Sequence, residues 1–566
     1  MPKTSNKIPP TIRQFTGAEL IVTMLELYGI TTVAGIPGGA ILPLYDALSR
    51  SSQIKHILTR HEQGAGFIAQ GIARTEGKPA VCIASSGPGA TNLITAIADA
   101  KLDSIPLVCI TGQVASSLIG TDAFQEVDTY GISIPVTKHN YLARSITELP
   151  LIIKNAFNIA MTGRPGPVWV DVPKDILTAT IELDSLPELD SDQQHSPTIT
   201  KYAIQQVADM IKQAKKPIAY LGGGIISSES NQLVKQLIDT AQLPTTTTLM
   251  GLGAIPTDHP LNLGMLGMHA HKSTNFILND ADLLLVLGAR FDDRAVGKVE
   301  SFCPDAKIIH VDIDGAELGK IKQPQVAIQA DLHEFLTKLL PHIHTQQRPE
   351  WLDRIEVIKQ QYPCINNNTE LFNQFGFIRA IANIAGDNTI ITTDVGKHQM
   401  WVAQTYPLQT PRQLLTSGGL GTMGFGLPAA IGAALAKPDK TIICFTGDGS
   451  IMMNLQEMAT AVEHNLNIKI IVFDNQALGL VHQLQTLFFE KNIFSTQFGY
   501  GVDFIKIANG FGMPAYDIRQ EDDPLTTLNK ALTQKGPCLI RLMVDVEECA
   551  FPVVPPGASN IEMIGE

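Results

Sequence analysis

Short apolar runs alternate along the chain with longer stretches of amphipathic character. The runs are rich in Val and Ile, which is typical of parallel strands that are covered on both faces. The stretches between them predict the helices that connect such strands. The pattern therefore predicts an α/β protein with doubly wound parallel sheets. The predicted strands include Ala80–Ser85, Leu107–Thr111, Val168–Val172, Ile218–Leu221, Asp282–Gly288, Lys307–Asp312, Thr389–Thr393, Thr441–Thr446, Ile468–Asp474 and Leu539–Asp545.

Two breaks in this pattern divide the chain into three domains. Residues 182–200 are acidic and rich in Ser and Pro, and residues 341–371 mix Pro, His, Gln and Asn, so we interpret both as linkers. The C-terminal segment 546–566 contains the run FPVVPPGASN, whose prolines exclude a helix or a central strand. The predicted domains span residues 15–181, 201–340 and 372–545.

Composition and charge narrow the class of protein. Of the 566 residues, 44% are hydrophobic and 17% are charged, which argues against a disordered chain. The net charge of −13 disfavours nucleic-acid binding, because that function needs a basic surface. No stretch approaches the roughly 18 uninterrupted apolar residues of a membrane span. The N-terminal residues lack the apolar segment of a secretory signal. Their basic charge would suit a transit peptide, but the segment is short and has one Ser and two adjacent prolines, so we expect a frayed tail there.

The seven cysteines favour a reducing, cytoplasmic location. Their number is odd, and their spacing contains neither a CxxC pair nor a zinc-binding pattern. Several lie within apolar runs such as AVCIAS and TIICFTG, where Cys behaves as a small hydrophobic residue.

Two polar motifs follow neighbouring predicted strands in the last domain. The strand TIICFTG leads into Asp448, and the strand IKIIVFD leads into Asn475. Because one predicted helix joins these strands, their carboxyl ends would meet at the edge of the sheet where α/β proteins bind ligands. A carboxylate, an amide oxygen and a carbonyl from a residue such as Ala477 form half of an octahedral shell for Mg²⁺, which diphosphate oxygens and water would complete.

Two Gly-rich turns lead into helices and expose backbone N–H groups suited to phosphates. They are SSGPGATNLITAIADA and SGGLGTMGFGLPAAIGAAL. The second contains Gly419–Gly424, which fits GxGxxG. A dinucleotide site is disfavoured there, because the preceding RQLLTS is a poor strand and Asp439 comes before the next strand. Close helix packing and a cofactor loop of another kind remain open.

The GDGS motif followed by Asp474-Asn475 resembles the signature of enzymes that depend on thiamine diphosphate (ThDP), whose usual form ends in two asparagines. Further segments resemble one branch of these enzymes, the acetohydroxyacid synthase (acetolactate synthase) catalytic subunits, over about residues 15–566. The resemblance is nearest to the bacterial type-I isozyme. The segments include GIPGGAILPLYDAL, RHEQGAGFIAQGIAR, GTDAFQEVDTYGIS, GRPGPVWVDVPKD, GARFDDR, TTDVGKHQMW and VPPGASN.

The resemblance implies a fold, a reaction and a set of partners. The three domains would bind the ThDP pyrimidine, FAD and the ThDP diphosphate with Mg²⁺, and the FAD would be structural rather than redox-active. The reaction would decarboxylate pyruvate and condense the hydroxyethyl unit with pyruvate or 2-oxobutanoate, a first common step in branched-chain amino-acid synthesis. A homodimer with active sites at its interface and a separate small regulatory subunit are expected.

The resemblance also implies individual catalytic roles. Glu62 in RHEQG would hydrogen-bond the aminopyrimidine N1′ and favour the imino tautomer. Gln125 would lie beside the reacting carbons and Lys174 near the entrance. Met423 would be the apolar wedge that brings the two ThDP rings together.

The second substrate is a 2-oxo acid anion, so its pocket needs a cation. Arg294 in FDDR suits this role, because a guanidinium binds a carboxylate through two hydrogen bonds. The alternative for Arg294 is a salt bridge to Asp292 or Asp293. By resemblance, Phe124 and Met268 shape the pocket.

Two residues depart from the family pattern. Lys397 stands where Gln is usual, and we expect diphosphate binding to survive with altered charge. Leu484 stands where many members have a Trp that favours 2-oxobutanoate over pyruvate. Losing that aromatic wall should remove roughly 1–3 kcal/mol of discrimination and weaken binding of inhibitors that stack on it.

The resemblance supplies the remaining cofactor contacts. The residues implied for ThDP are Pro37, Gly38, Glu62, Pro88, Asn92, Val395, Lys397, His398, Gln399, Gly421, Met423, Asp448, Gly449, Ser450, Asn475, Ala477, Leu478 and Gly479. Those implied for FAD are Arg164, Gly222, Gly223, Gly224, Thr248, Leu249, Met268, His269, Gly288, Ala289, Arg290, Asp292, Arg294, Asp312 and Ile313.

Three alternative functions fit the sequence less well. A ThDP- and FAD-dependent pyruvate oxidase shares the three-domain layout, but Phe124-Gln125 with Arg294 argues against it. A nicotinamide dehydrogenase would leave the pair Asp448 and Asn475 without a purpose. A catalytically dead regulatory homologue is disfavoured by the presence of Glu62.

Overall fold

The computed structural model describes residues 13–189, 198–364 and 367–565. Residues up to 189 form one compact unit, and residues from 198 onward form a second. The first unit contains one six-stranded parallel sheet and the second contains two. The predicted α/β class with three parallel sheets is therefore confirmed. Within the predicted linker 182–200, residues 190–197 lie outside the described residues.

The first unit is built on strands that are buried on both faces, as the apolar runs predict. Its strands are β1 (Arg13–Thr16), β2 (Thr32–Gly35), β3 (Lys55–Leu58), β4 (Ala80–Ala84), β5 (Leu107–Gln113), β6 (His139–Leu142), β7 (Pro167–Pro173) and β8 (Thr180–Leu183). Its helices are α1 (Gly17–Leu27), α2 (Leu42–Ser49), α3 (Glu62–Glu76), α4 (Pro88–Thr91), α5 (Ile94–Leu102), α6 (Thr129–Ser133), α7 (Leu149–Met161) and α8 (Lys174–Thr178). The parallel order is β3-β2-β4-β5-β7-β6, and β1 pairs antiparallel with β8.

The second unit begins with the middle sheet. Its strands are β9 (Pro217–Leu221), β10 (Thr245–Thr247), β11 (Asn262–Met265), β12 (Leu283–Leu287), β13 (Lys307–Asp312) and β14 (Val326–Gln329). Its helices are α9 (Lys201–Gln213), α10 (Gly224–Ser227), α11 (Asn231–Ala241), α12 (Lys272–Asn279), α13 (Asp293–Val296), α14 (Leu332–Leu339) and α15 (Pro349–Gln361). The order is β11-β10-β9-β12-β13-β14.

The third sheet completes the second unit. Its strands are β15 (Thr389–Thr393), β16 (Leu414–Thr416), β17 (Thr441–Gly447), β18 (Ile468–Asp474), β19 (Ala515–Asp517) and β20 (Cys538–Met543). Its helices are α16 (Gln374–Ala385), α17 (Lys397–Thr405), α18 (Gly426–Ala436), α19 (Asp448–Ile451), α20 (Met458–Glu463), α21 (Gly479–Phe488), α22 (Phe504–Gly510) and α23 (Pro524–Thr533). The order is β16-β15-β17-β18-β20-β19.

Each parallel sheet has a point where the chain reverses its direction of travel across the sheet. These switch points lie between β2 and β4, between β9 and β12, and between β15 and β17. Ligands of open α/β sheets bind in the crevice at the carboxyl ends of such strand pairs. The topology alone therefore marks three places for a ligand.

Two segments differ from their sequence interpretation. The segment 341–371 contains α15, whose Trp351, Ile355 and Ile358 are buried in the core around the middle sheet. RQLLTS, whose sequence predicts a poor strand, contains the short edge strand β16. Among the described helices, none has the length and apolarity to cross a bilayer.

Candidate functional site

The predicted metal ligands come together at the carboxyl edge of the third sheet. Asp448 follows β17 and Asn475 follows β18, and these two strands are paired in parallel. The N–H of Ala477 donates to Asp448 Oδ2 and to Asn475 Oδ1, each over 3.2 Å. One backbone turn thus holds a carboxylate and an amide oxygen beside each other, which is the donor chemistry that Mg²⁺ prefers.

Asp448 carries an electrostatic cost that a cation would relieve. Burial, and then the nearby carboxylate of Asp474, raise the pKa of Asp448 to about 7. Asp474 is itself compensated by Arg541, whose Nε donates to its Oδ2 over 2.7 Å. Among the described residues Asp448 has no such ion-pair partner. The site therefore fits a divalent cation.

Two glycines allow the loops around Asp448 to converge. A Cβ at Gly449 would lie 2.9 Å from Leu478 Cδ2 and 3.7 Å from Met423 Cε. A Cβ at Gly479 would lie 2.4 Å from Asn475 Nδ2. Glycine is required for this packing, because a real Cβ is essentially never found so close to another heavy atom. The structure thereby places the predicted wedge Met423 against the turn that carries Asp448.

Asp394, at the end of β15, was missed by sequence reasoning. Its carboxylate accepts hydrogen bonds from the N–H groups of Gly424 (2.7 Å) and Val395 (3.1 Å) and from Thr446 Oγ1 (3.2 Å). It thus joins the Met423 loop to both strands of the switch point. Burial raises its pKa to about 6. The available signal was the run TTDVG, which follows a buried strand as TGDGS does.

The predicted residues on α17 face three different environments. His398 is fully buried, burial lowers its pKa to about 3, and its Nε2 has no hydrogen-bond partner among the described residues. A buried nitrogen without a hydrogen-bond partner suits a position where a ligand atom binds. Gln399 donates to Thr416 Oγ1 over 2.8 Å. The ammonium of Lys397 donates to the carbonyl of Val546 over 2.7 Å.

The switch point of the middle sheet is formed by glycines. The N–H of Gly224 donates to the carbonyl of Gly288 over 3.0 Å, and a Cβ at Gly222 would lie 2.1 Å from that same oxygen. Asp312 ends the adjacent strand β13, and its Oδ1 accepts from the N–H of Asp314 over 2.8 Å. Glycines at the turn with an acid at the end of a neighbouring strand suit a dinucleotide such as FAD.

Arg294 and Met268 lie together beside this edge. Arg294 Nη1 donates to Met268 Sδ over 3.4 Å, and the N–H of Met268 donates to the carbonyl of Arg294 over 2.8 Å. The Arg294 side chain is 71% exposed, and its Nε is 3.7 Å from Asp293. Such an exposed pair is weak, so the guanidinium can exchange it for another carboxylate. The carboxylate of Asp292 instead accepts from the backbone at the start of α13.

The C-terminal segment holds this loop in place. The N–H of Val554 donates to the carbonyl of Met268 over 3.0 Å, and Asn560 Nδ2 donates to the carbonyl of Ala295 over 2.8 Å. The ring of His269 is buried against the carbonyls of Ala550 and Pro552, and burial lowers its pKa to about 4. Sequence reasoning gave the segment no such role, because contacts between distant parts of the chain leave no local periodicity.

In the first unit, the predicted pyrimidine contacts lie at the carboxyl ends of three neighbouring strands. Pro37 and Gly38 follow β2, Glu62 begins α3 after β3, and Asn92 follows β4. Asn92 Nδ2 donates to Glu62 Oε2 over 2.9 Å. A Cβ at Gly89 would lie 3.6 Å from Glu62 Oε1, at ordinary van der Waals distance, so Gly89 lies next to that oxygen.

Gln125 and Phe124 lie on the long loop between β5 and α6. Phe124 is 88% exposed, and Gln125 has a left-handed backbone with φ of 59°. A Cβ at Gly87 would lie 2.8 Å from the carbonyl oxygen of Gln125, so glycine lets the two loops touch. Lys174 is exposed at the start of α8.

The other predicted residues occupy defined places within their own unit. Arg164 is half-buried in the first unit and donates to Ser104 Oγ over 2.8 Å. Leu484 lies on α21 and is 36% exposed. At the third-sheet edge, Gly421 lies in the loop before α18 and Ser450 in α19. Around the middle-sheet edge lie Gly223, Thr248, Leu249, Ala289, Arg290 and Ile313. The contacts of all these residues with substrate or cofactor stay predictions.

Comparison with known proteins shows the family of the chain. Three domains described as thiamine pyrophosphate enzyme domains match the chain: the N-terminal TPP binding domain at 15–132, the central domain at 204–339 and the C-terminal TPP binding domain at 394–542. The chain is 60% identical to the acetolactate synthase isozyme 1 large subunit of Escherichia coli, over 98% of this chain and 99% of the relative. It is 44% identical to the isozyme 2 large subunit of the same organism, over 97% and 99%, and 43% identical to the acetolactate synthase large subunit of Corynebacterium glutamicum, over 97% and 90%. The family resemblance drawn from the motifs is confirmed.

Proposed function

The chain belongs to the family of acetolactate synthase large subunits, which are thiamine pyrophosphate enzymes, and on this premise we propose the reaction that it catalyses. The enzyme decarboxylates pyruvate and joins the remaining two-carbon unit to a second 2-oxo acid. With pyruvate as acceptor the product is 2-acetolactate, and with 2-oxobutanoate it is 2-aceto-2-hydroxybutanoate. These products begin the synthesis of branched-chain amino acids.

When bound, ThDP supplies the stabilised carbanion that decarboxylation and carbon–carbon bond formation require. Glu62 would hold the proton at the pyrimidine ring through Oε1, because Oε2 already accepts from Asn92. Asn92 thereby fixes the orientation of the carboxyl group. Met423, packed against the Asp448 turn, would support the bent cofactor.

Mg²⁺ would bind to Asp448, Asn475 and the carbonyl of Ala477. The convergence of these residues at the edge between β17 and β18 is the observation that carries the assignment. A divalent cation would neutralise the buried Asp448 carboxylate and present its remaining coordination positions to diphosphate oxygens and water.

Arg294 would bind the carboxylate of the acceptor 2-oxo acid. Its guanidinium is exposed and only weakly paired with Asp293, while Met268 packs against it and the C-terminal segment fixes the loop. Phe124, Gln125 and Leu484 would complete the acceptor pocket. Lys174 would lie near its entrance.

FAD would bind across the glycine edge between β9 and β12, with Asp312 at the end of the next strand. We assign it a structural role, because decarboxylation followed by carboligation is redox-neutral overall. Arg164 would add a contact to the same cofactor.

The enzyme would act as a homodimer together with a small regulatory subunit. Exposed aromatic side chains such as Phe124 (88%), Tyr500 (83%) and Phe494 (75%) suit a subunit interface. The relatives are named large subunits, which supports a small partner. All seven cysteines lie within the described residues, and none of them forms a disulfide there, in keeping with a cytoplasmic location.

The test is product analysis by NMR after incubating the purified chain with pyruvate, ThDP, Mg²⁺ and FAD. We expect 2-acetolactate as the main product. Adding 2-oxobutanoate in competition should give both products without strong preference, because Leu484 lacks an aromatic wall. Repeating the reaction with added small subunit separates an incomplete enzyme from an inactive one.

Other products would contradict the proposal in distinct ways. Acetate formed with reduced flavin would assign the chain to the pyruvate oxidases and remove the role given to Arg294. Free acetaldehyde would show decarboxylation without a working acceptor pocket.

A further inference from the structure

The loop that carries Phe124 and Gln125 holds an unfavourable backbone conformation. Three of its residues have positive φ: Gly120 (83°), Asp122 (57°) and Gln125 (59°). Left-handed conformations are energetically unfavourable for residues other than glycine. The loop therefore needs contacts that hold it in this shape.

The carboxylate of Glu126 supplies such contacts from within the loop. It accepts hydrogen bonds from the N–H of Gly120 through Oε1 and from the N–H of Ala123, 3.0 Å away, through Oε2. The pKa of Glu126 is lowered because these loop N–H groups, that of Gly120 first, donate to it. One side chain thus closes the turn that precedes Gln125.

A second network anchors the loop to the sheet beneath it. Gln113, at the end of β5, donates through Nε2 to the carbonyl of Val127 and to Asp171 Oδ2, each over 3.0 Å. At the start of the loop, the N–H of Ser116 donates to Asp175 Oδ1 over 2.9 Å. Both ends are therefore fixed, and between them the Glu126 carboxylate reinforces the backbone turns that close at Thr121 and Glu126.

The backbone of Gln125 is also confined from behind. Gly87 lies so near the carbonyl oxygen of Gln125 that a Cβ there would be only 2.8 Å away, so the loop has little space on that side. If the contacts of Glu126 were lost, the loop could relax only outward. That movement would displace Phe124 and Gln125 together.

From these contacts we infer that Glu126 is a positioning residue for acceptor selection: its carboxylate holds the loop 120–126 in the shape that presents Phe124 and Gln125 to the second 2-oxo acid. The inference rests on the proposed role of Phe124 and Gln125 in the acceptor pocket. It assigns Glu126 no contact with substrate or cofactor.

The experiment compares E126A, E126Q, F124A and Q125A in the full enzyme with its small subunit. The matched control is E148A, because Glu148 also accepts two backbone N–H groups, those of Arg144 and Ser145, in a different loop. The readouts are the ratio of the two products when pyruvate and 2-oxobutanoate compete, the KM for each acceptor, and the Kd for ThDP.

We expect E126A to shift the product ratio roughly threefold or more and to raise the acceptor KM, because small displacements of positioning groups have large kinetic effects. The Kd for ThDP should remain within about twofold of the wild-type value, since Glu126 has no cofactor role. E126Q should lie between wild type and E126A, because its amide oxygen still accepts one N–H. E148A should leave the ratio unchanged.

A wild-type ratio in E126A, alongside shifted ratios in F124A and Q125A, would overturn the inference and leave the acceptor pocket intact. Wild-type ratios in F124A and Q125A would instead overturn the assignment of the pocket itself, and with it the role given to Glu126. If E126A fails to fold, the ratio of E126Q decides between the same outcomes.

Discussion

Each of the two sheets in the second unit has a switch point, but different residues line the two crevices. At the switch point between β15 and β17, buried carboxylates of Asp394 and Asp448 follow the strands. At the switch point between β9 and β12, glycines pack backbone against backbone, and Gly222 approaches the carbonyl of Gly288. The crevice at β15 and β17, here called the charged edge, is defined by buried carboxylates. The crevice at β9 and β12, here called the glycine edge, is defined by the exclusion of side chains.

The difference separates what each crevice demands of a ligand. A buried carboxylate without an ion-pair partner raises the free energy of the ligand-free protein, and a cation lowers it again. A glycine crevice stores no such charge and admits a flat, extended ligand because nothing protrudes into it. We therefore expect pH and metal to change cofactor binding and stability at the charged edge. At the glycine edge we expect added side-chain volume to change them.

The largest expected effect is the loss of the carboxylate at the charged edge. D448A should weaken Mg²⁺-dependent ThDP binding roughly 100-fold or more, because it removes a charged metal ligand. Isothermal titration with and without EDTA measures this, and FAD content should remain near the wild-type level. Unchanged ThDP affinity in D448A would refute the metal site.

The matching change at the other edge is G222A. The added Cβ would meet the Gly288 carbonyl at 2.1 Å, and such overpacking against backbone should cost roughly 3 kcal/mol or more. The variant should lose bound flavin on gel filtration and unfold at lower temperature. G510A is the matched control, because a Cβ there meets no atom within 4 Å. Equal flavin retention in the two variants would contradict the role of the glycine edge.

The third expected effect is a pH dependence of stability, which follows from the pKa of about 7 for Asp448. The unfolded carboxyl titrates at about 3.9, so the folded apoenzyme binds this proton more tightly than the unfolded chain does. The stability that this proton contributes is fully present below about pH 4 and is lost as the pH rises to about 7. At pH 8, apo D448N should therefore be more stable than the apo wild type, on the order of 1–3 kcal/mol.

Thermal or urea unfolding of both apoproteins between pH 4 and 8 measures this difference. The two stability curves should diverge as the pH rises, and adding Mg²⁺ with ThDP should stabilise only the wild type. Parallel curves would show that Asp448 carries no such cost.

The two edges also differ in how far the sequence predicts them. Asp448 and Asn475 could be predicted because each follows an apolar strand, and paired parallel strands bring their ends together. The glycine edge could be predicted only from the family resemblance, because its defining contact joins two strands that are far apart in the sequence. α15 was overlooked, although Pro349 at its start and Trp351, Ile355 and Ile358 at helical spacing were visible signals. The orientation of a long side chain such as Lys397 is decided by tertiary contacts alone.

The smallest expected effect concerns Lys397, which departs from the family at the charged edge. Its ammonium donates to the carbonyl of Val546, and burial lowers its pKa while Cys549 and the acidic residues Glu547 and Glu548 oppose that shift. The Lys397 ammonium therefore holds the C-terminal segment in place. In K397Q, hydrogen exchange of residues 546–549 should rise a few-fold, since a hydrogen bond of about 1–2 kcal/mol is lost.

ThDP affinity distinguishes the two roles that the Lys397 ammonium could play. If it only anchors the C-terminal segment, K397Q should change the Kd for ThDP by no more than about threefold. If it binds a diphosphate oxygen, the loss of a charge-assisted hydrogen bond should weaken ThDP roughly tenfold or more. K506Q is the control, because Lys506 is exposed in the same domain. Tenfold weaker binding in K397Q alone would mean that the ammonium leaves Val546 when the cofactor binds, and that a basic residue as well as the metal neutralises the diphosphate at the charged edge.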